Sequence, residues 1–290
     1  MGDIYAIITA VCWSSAVILF DISSKSFEAL QINALKNFIG VIGFILTIII
    51  LSIPFPIFTY YELIILLSSG IIGIVIADLL FLESLRRLGS GISAVIATIY
   101  TPSIFILAYI MFNEMLNENS YYGGVLVVFG IVIVAYKIPK NLSSRDLYIG
   151  ITFGILAQIF TAYSVLMIRP IMINHSIIII ALYRFSIGLF ITVIILLIKN
   201  GFSYVIYNFK HGLNNPNIIF GSILGTYLSV IFWLLGYKYT LAGRAAIYNQ
   251  LSTVFIVVLA RIFLMEQLNI KKIVGVLLSI IGAVMVAMAK

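Results

Sequence analysis

Asp78 stands inside an otherwise apolar stretch, Ile71 to Leu82, where an ionised carboxylate has no water to solvate it. On insertion scales such a charge costs roughly 2.5–3.5 kcal/mol at the centre of a membrane helix. Something must compensate it. Two chemistries do so: a cavity in which the carboxylate binds a cationic group or exchanges a proton, or a buried ion pair with Lys36 or Arg184. These two cations sit a turn or two inside their own apolar runs, too deep for snorkelling to hydrate them fully. They suit either attraction of a carboxylate or phosphate, with the fork of Arg favouring bidentate contact, or pairing with the carbonyls that end a helix.

A second set is polar or aromatic within apolar runs: Trp13, Ser14, Tyr100, Gln158, Tyr163, Tyr227, Tyr248 and Asn249. An amide left unpaired in hydrocarbon costs a few kcal/mol, and hydrogen bonding to a solute is one way to satisfy it. An interhelical hydrogen bond, worth about 0.6 kcal/mol on average, is the other. Glu114 and Glu266 stand at the ends of two runs and read as structural acceptors for the N–H groups of the helices that follow. Glu83 reaches Arg86 and Arg87 at helical spacings. No catalytic constellation appears, whether a Ser/His pair or paired Asp residues, so an intramembrane enzyme is a remote alternative. Cys12 is the lone cysteine, and His175 and His211 are far apart, which argues against a metal centre. No phosphate-cradling Gly-rich loop ends in Lys-Ser or Lys-Thr, so neither ATP nor any other cofactor is implied.

The elements that position these residues follow from composition. The chain has 290 residues, 63% hydrophobic and only 9% charged, with mean hydropathy +1.20. A soluble domain carries about 25% charge. Most of this surface must therefore face lipid. The net charge of +7 is dispersed at segment ends, where it suits anionic headgroups rather than nucleic acid. Apolar runs read as helices over 4–20, 32–51, 63–82, 92–112, 121–138, 147–168, 176–198, 217–237, 245–264 and 273–289. The first run lacks a basic leader and is expected to be retained. Five prolines fall near run ends, whereas Pro102 sits mid-run and should break the ladder of the fourth helix.

The runs repeat. At an offset of 152 residues, Gly73 pairs with Gly225, Gly91 with Gly243, Ala94 with Ala246, Thr101 with Thr253, Gly123 with Gly275 and Gly130 with Gly282. Glu114-Met115-Leu116-Asn117 aligns with Glu266-Gln267-Leu268-Asn269, and earlier, at an offset of 148, Lys36 aligns with Arg184. Five crossings per copy make the second copy enter from the opposite side. The fold class expected is an all-α membrane protein of ten transmembrane helices, built as two inverted five-helix repeats, 1–140 and 141–290, around a central cavity. Glycines seven residues apart on the fifth and tenth runs form a packing face, either inside one chain or in a homodimer.

With Trp13-Ser14-Ser15, Lys36 and Arg184 in corresponding runs, the Gly91 and Gly243 turns, and Glu114 and Glu266 closing the fourth and ninth runs, the chain resembles the drug/metabolite transporter superfamily, EamA type. The resemblance implies a multi-pass protein of a prokaryotic cell membrane, whose cavity is lined by the first, third, fourth, sixth, eighth and ninth spans. It implies secondary transport of small metabolites, amino acids or amphipathic compounds by alternating access, with a passive channel as the alternative. The partners expected are the lipid bilayer and a small-molecule substrate, with no nucleic acid. The resemblance puts both termini in the cytoplasm. The distribution of Lys and Arg, sparse on the terminal side, puts them outside.

Overall fold

The structure is a computed structural model and describes residues 1–135, 143–263 and 270–288. Lys137, Pro139, Lys140, Lys290 and the tetrad containing Glu266 lie outside the described residues. Within them the chain is helical, without a strand. The helices are α1 (Gly2–Ser23), α2 (Ala29–Ile50), α3 (Tyr60–Gly70), α4 (Asp78–Ile96), α5 (Tyr100–Phe112), α6 (Glu118–Ala135) and α7 (Ser144–Asn174). There follow α8 (Ile177–Asn200), α9 (Phe202–Gly212), α10 (Pro216–Ser222), α11 (Ser229–Tyr239), α12 (Ala242–Asn249), α13 (Leu251–Phe263) and α14 (Ile270–Met288).

Among the described residues, six rods are long and apolar enough to cross a bilayer: Gly2–Ser23, Ala29–Ile50, Tyr60–Ser90, Ser144–Asn174, Ile177–Asn200 and Pro216–Tyr239. Starts are set by side-chain caps. Thr59 and Glu62 form a reciprocal capping box ahead of α3, Ser143 accepts from the Asp146 N–H, and Asn215 caps α10, whose first residue is Pro216. Gly89, at φ 74°, breaks the backbone inside α4 in a conformation that suits glycine. The turn expected at Gly91 therefore falls two residues earlier.

Two rods are interrupted by π-helical segments, Ile71–Ala77 between α3 and α4 and Ile223–Leu228 between α10 and α11. Each widens the helix by one residue per turn, a device frequent at functional sites. The ladder ahead of Pro102 instead tightens, into a 3₁₀ turn at Ala97–Ile99. Gln250 Nε2 donates to the Ala97 carbonyl at 2.7 Å. Irregular backbone in the apolar interior is thus satisfied by protein. Pro170 lies inside α7, which runs on to Asn174, instead of near the end of its run.

The glycines of α6 and α14 pack on one another within the chain. A Cβ on Gly130 would stand 2.5 Å from the Gly275 carbonyl oxygen, and one on Gly123 2.7 Å from that of Gly282. Only glycine permits this approach. Of the two readings of this face, the structure fulfils packing within the chain. Elsewhere Ile42, Ile49, Ile106, Phe129 and Ile198 stay exposed, an apolar exterior suited to lipid.

Candidate functional site

Where α1, α2, α7, α8, both π-helical rods and the α12–α13 junction converge, they enclose a cavity of about 150 Å³. Seven of the eleven residues read from sequence line it: Trp13, Lys36, Asp78, Tyr100, Gln158, Arg184 and Asn249. They come from five of the six spans expected and also from α2 and α8, which bring the two cations; the eighth span contributes Thr226, Ser229 and Trp233.

Lys36 Nζ lies 2.5 Å from Asp78 Oδ2 and donates to Asn37 Oδ1 at 3.2 Å. Of the two chemistries open to Asp78, this geometry fulfils the ion pair, and with Lys36 rather than Arg184. Arg184 is fully buried and donates from Nη2 to Ser164 Oγ at 3.0 Å. Its Nε and Nη1 have no hydrogen-bond partner, nor do Nδ2 and Oδ1 of Asn249. Aromatic faces stand over both cations, Phe185 with its centroid 5.6 Å from Lys36 Nζ and Trp233 5.8 Å from Arg184 Cζ.

Tyr100 and Tyr237 share a hydrogen bond of 2.6 Å, and Trp233 Nε1 donates to Tyr100 Oη at 3.2 Å. The carbonyl of Tyr237 accepts from Arg169 Nε at 3.3 Å, which ties this aromatic belt to the layer beyond. In that layer, on the side of the N-terminus, three carboxylates from the first 140 residues meet three basic residues from the rest. Glu114 pairs with Arg169, Asp3 with Arg244 at 2.8 Å, and Glu62 lies 3.0 Å from His175 Nε2. Glu114 also accepts from the Gly243 N–H at 3.2 Å, so it caps α12 and not the helix that follows it in sequence. On the opposite side, Arg87 joins Glu83 to Asp146, and Lys199 reaches Glu28.

Four expected residues lie off the cavity. Ser14 is buried and donates to the Val11 carbonyl at 2.8 Å. Tyr163 is 39% exposed on the outer face of α7, where an amphipathic ring suits lipid. Tyr227 packs on Phe44 and shares a hydrogen bond of 2.5 Å with Thr47, which seals π segment to α2. Tyr248 is buried in a cluster with Ala6, Ala10 and Leu251. Sequence reading missed Phe81, Thr161, Ser164, Thr226, Ser229 and Trp233, all on the lining. A signal existed: Gln158, Thr161 and Ser164 recur every three residues, and Thr226, Ser229 and Trp233 follow at three and four.

The sequence profile of the EamA-like transporter family matches residues 1–136 and 148–288. The chain belongs to this family. Two curated relatives, both uncharacterized transporters of Archaeoglobus fulgidus, resemble it. One is 26% identical over 49% of this chain and 46% of its own length, so that this alignment spans about half of the relative. The other is 20% identical over 94% of this chain and 93% of its own. A solved crystal structure superposes with a TM-score of 0.77 over 100% of this chain and 98% of that one, at 11% identity, a likeness of fold. This EamA-like transporter is an integral, multi-pass, all-helical membrane protein.

Proposed function

We propose that this EamA-like transporter is a secondary carrier that moves a small organic solute, as exporter or exchanger, by alternating access at the Trp13, Asp78, Tyr100, Gln158 and Asn249 cavity. The moving parts are two inverted five-helix halves, residues 1–140 and 141–290, which together make ten crossings. The observation that carries this reading is a charged cavity deep among apolar rods, closed toward the N-terminal side by ion pairs that join one half to the other.

Reciprocal contacts support the inverted repeat. Ile71–Ala77 and Ile223–Leu228, the π-helical segments, begin 152 residues apart. Gly123 meets Gly282 and Gly130 meets Gly275, each contact the exchange of the other under that offset. Ser279 donates to the carbonyl of Val127, its own repeat mate, as two residues on a local two-fold axis would. Packing of α4 on α7 is mirrored by that of α11 on α1.

Purified protein in liposomes, offered a panel of metabolites, amino acids and amphipathic compounds, is expected to give saturable uptake and counterflow of at least one. Flux that rises without saturation identifies a passive channel; no flux from folded protein overturns the proposal. The N-terminal closure makes its own prediction. With Cys12 replaced by Ser and a reporter Ser229→Cys on the cavity wall, Glu114→Gln should raise labelling by an impermeant thiol reagent from that side about tenfold, the factor equivalent to one charge-assisted hydrogen bond. An unchanged rate would mean that these pairs do not hold the closure.

A further inference from the structure

The charges lining the cavity do not cancel. Lys36, Asp78 and Arg184 are the charged residues on its wall, and their sum is +1. Lys36 and Asp78 are joined at 2.5 Å. The uncompensated charge is that of Arg184, which is fully buried, has one neutral hydroxyl partner in Ser164, and keeps Nε and Nη1 without acceptors. A buried charge is normally paired, because its desolvation is repaid only by a counter-charge and by full hydrogen bonding. Among the described residues the one carboxylate on the wall, Asp78, must serve both cations, whereas room for a second anion is present beside Arg184.

We propose that the solute is a small organic monoanion: a carboxylate head that takes the free donors of Arg184, and an apolar body. The inference rests on the carrier reading only in taking this cavity as the solute site. Four features of the wall support it. Trp13, Phe81, Phe185 and Trp233 offer apolar faces to an organic body, more than an inorganic ion needs. Asn249 supplies a donor and an acceptor that nothing in the protein uses. The volume of about 150 Å³ holds about ten water-sized positions, which limits the solute to a small molecule. Asp78, the one carboxylate on the wall, already serves Lys36, so an ammonium group would compete for it and would face the excess positive charge.

The test is equilibrium binding to the purified full-length protein, read by thermal stabilisation and titration. The probes are a series of small monocarboxylates such as phenylacetate, each with its neutral amide and its amine analogue, together with inorganic phosphate. At least one carboxylate should bind about tenfold or more tightly than its amide, the factor equivalent to one hydrogen bond to a charged group. Arg184→Gln should remove that preference. Because loss of a buried arginine can also unfold the protein, the near-isosteric Asn249→Asp serves beside it: it brings the wall to zero charge and should weaken carboxylate binding about tenfold while improving that of the amine. If no carboxylate outbinds its amide, if amines bind best to the unmodified protein, or if phosphate alone matches every organic acid, the proposal is wrong. Carboxylate binding without liposome flux would keep the anion site and sink the carrier reading. Saturable flux of neutral or cationic solutes with no carboxylate binding would do the reverse.

Discussion

Asp78→Asn should lower stability by on the order of 3 kcal/mol, because it strips the counter-charge from Lys36, whose side chain is 6% exposed, and leaves it only neutral amide oxygens. Breaking a buried pair leaves a charge with no partner, and that costs more than the intact pair ever contributed. The same logic predicts recovery. Lys36→Met combined with Asp78→Leu removes both charges, and replacement of a buried pair by apolar residues is often neutral or better. The double variant should therefore melt in detergent close to the unmodified protein, well above Asp78→Asn alone. A single variant as stable as the parent would show that water in the cavity already hydrates Lys36, and that the pair is not needed for folding.

Gly282→Ala should cost about 1–3 kcal/mol through overpacking. Its new Cβ would stand 2.5 Å from the Gly123 carbonyl oxygen and 2.8 Å from the Val127 nitrogen, both backbone atoms that cannot turn aside. The helices must separate, which also weakens the bond from Ser279 to the Val127 carbonyl. Adding Gly130→Ala on the same interface should cost less than it does alone, since α6 and α14 have already moved apart. A four-way melting comparison measures this. Strict additivity would mean that the two ends of the contact yield independently and that the pair is not a rigid unit.

Much of the bundle is legible in the sequence because lipid-facing helices are apolar on all sides and their ends carry charges, glycine or proline. Asp78, Lys36 and Arg184 stand out for the same reason, since each is expensive where it lies. The face that each helix presents is less legible. In a soluble helix polarity marks the outside, whereas here the outside and the packed interior are both apolar, so Tyr163 and Tyr227 are indistinguishable in sequence from Tyr100. Tyrosine also fits a lipid boundary, with its ring in hydrocarbon and its hydroxyl on any acceptor. Ser164, Thr226 and Ser229 escape notice for another reason: small hydroxyls can satisfy themselves on the backbone of the preceding turn and carry no penalty that demands a pocket. The π-helical segments have no composition of their own, and their positions emerge from tertiary packing.

Glu114 receives Arg169 and the Gly243 N–H, while Arg169 also donates to the carbonyls of Tyr237 and Thr240. One carboxylate and one guanidinium thus hold together the ends of four helices through direct bonds. If the carrier opens on this side as proposed, every one of these groups needs a replacement partner, and hydrocarbon offers none. Opening is therefore inseparable from wetting: the crevice must flood as it forms, and it must dry before it can shut.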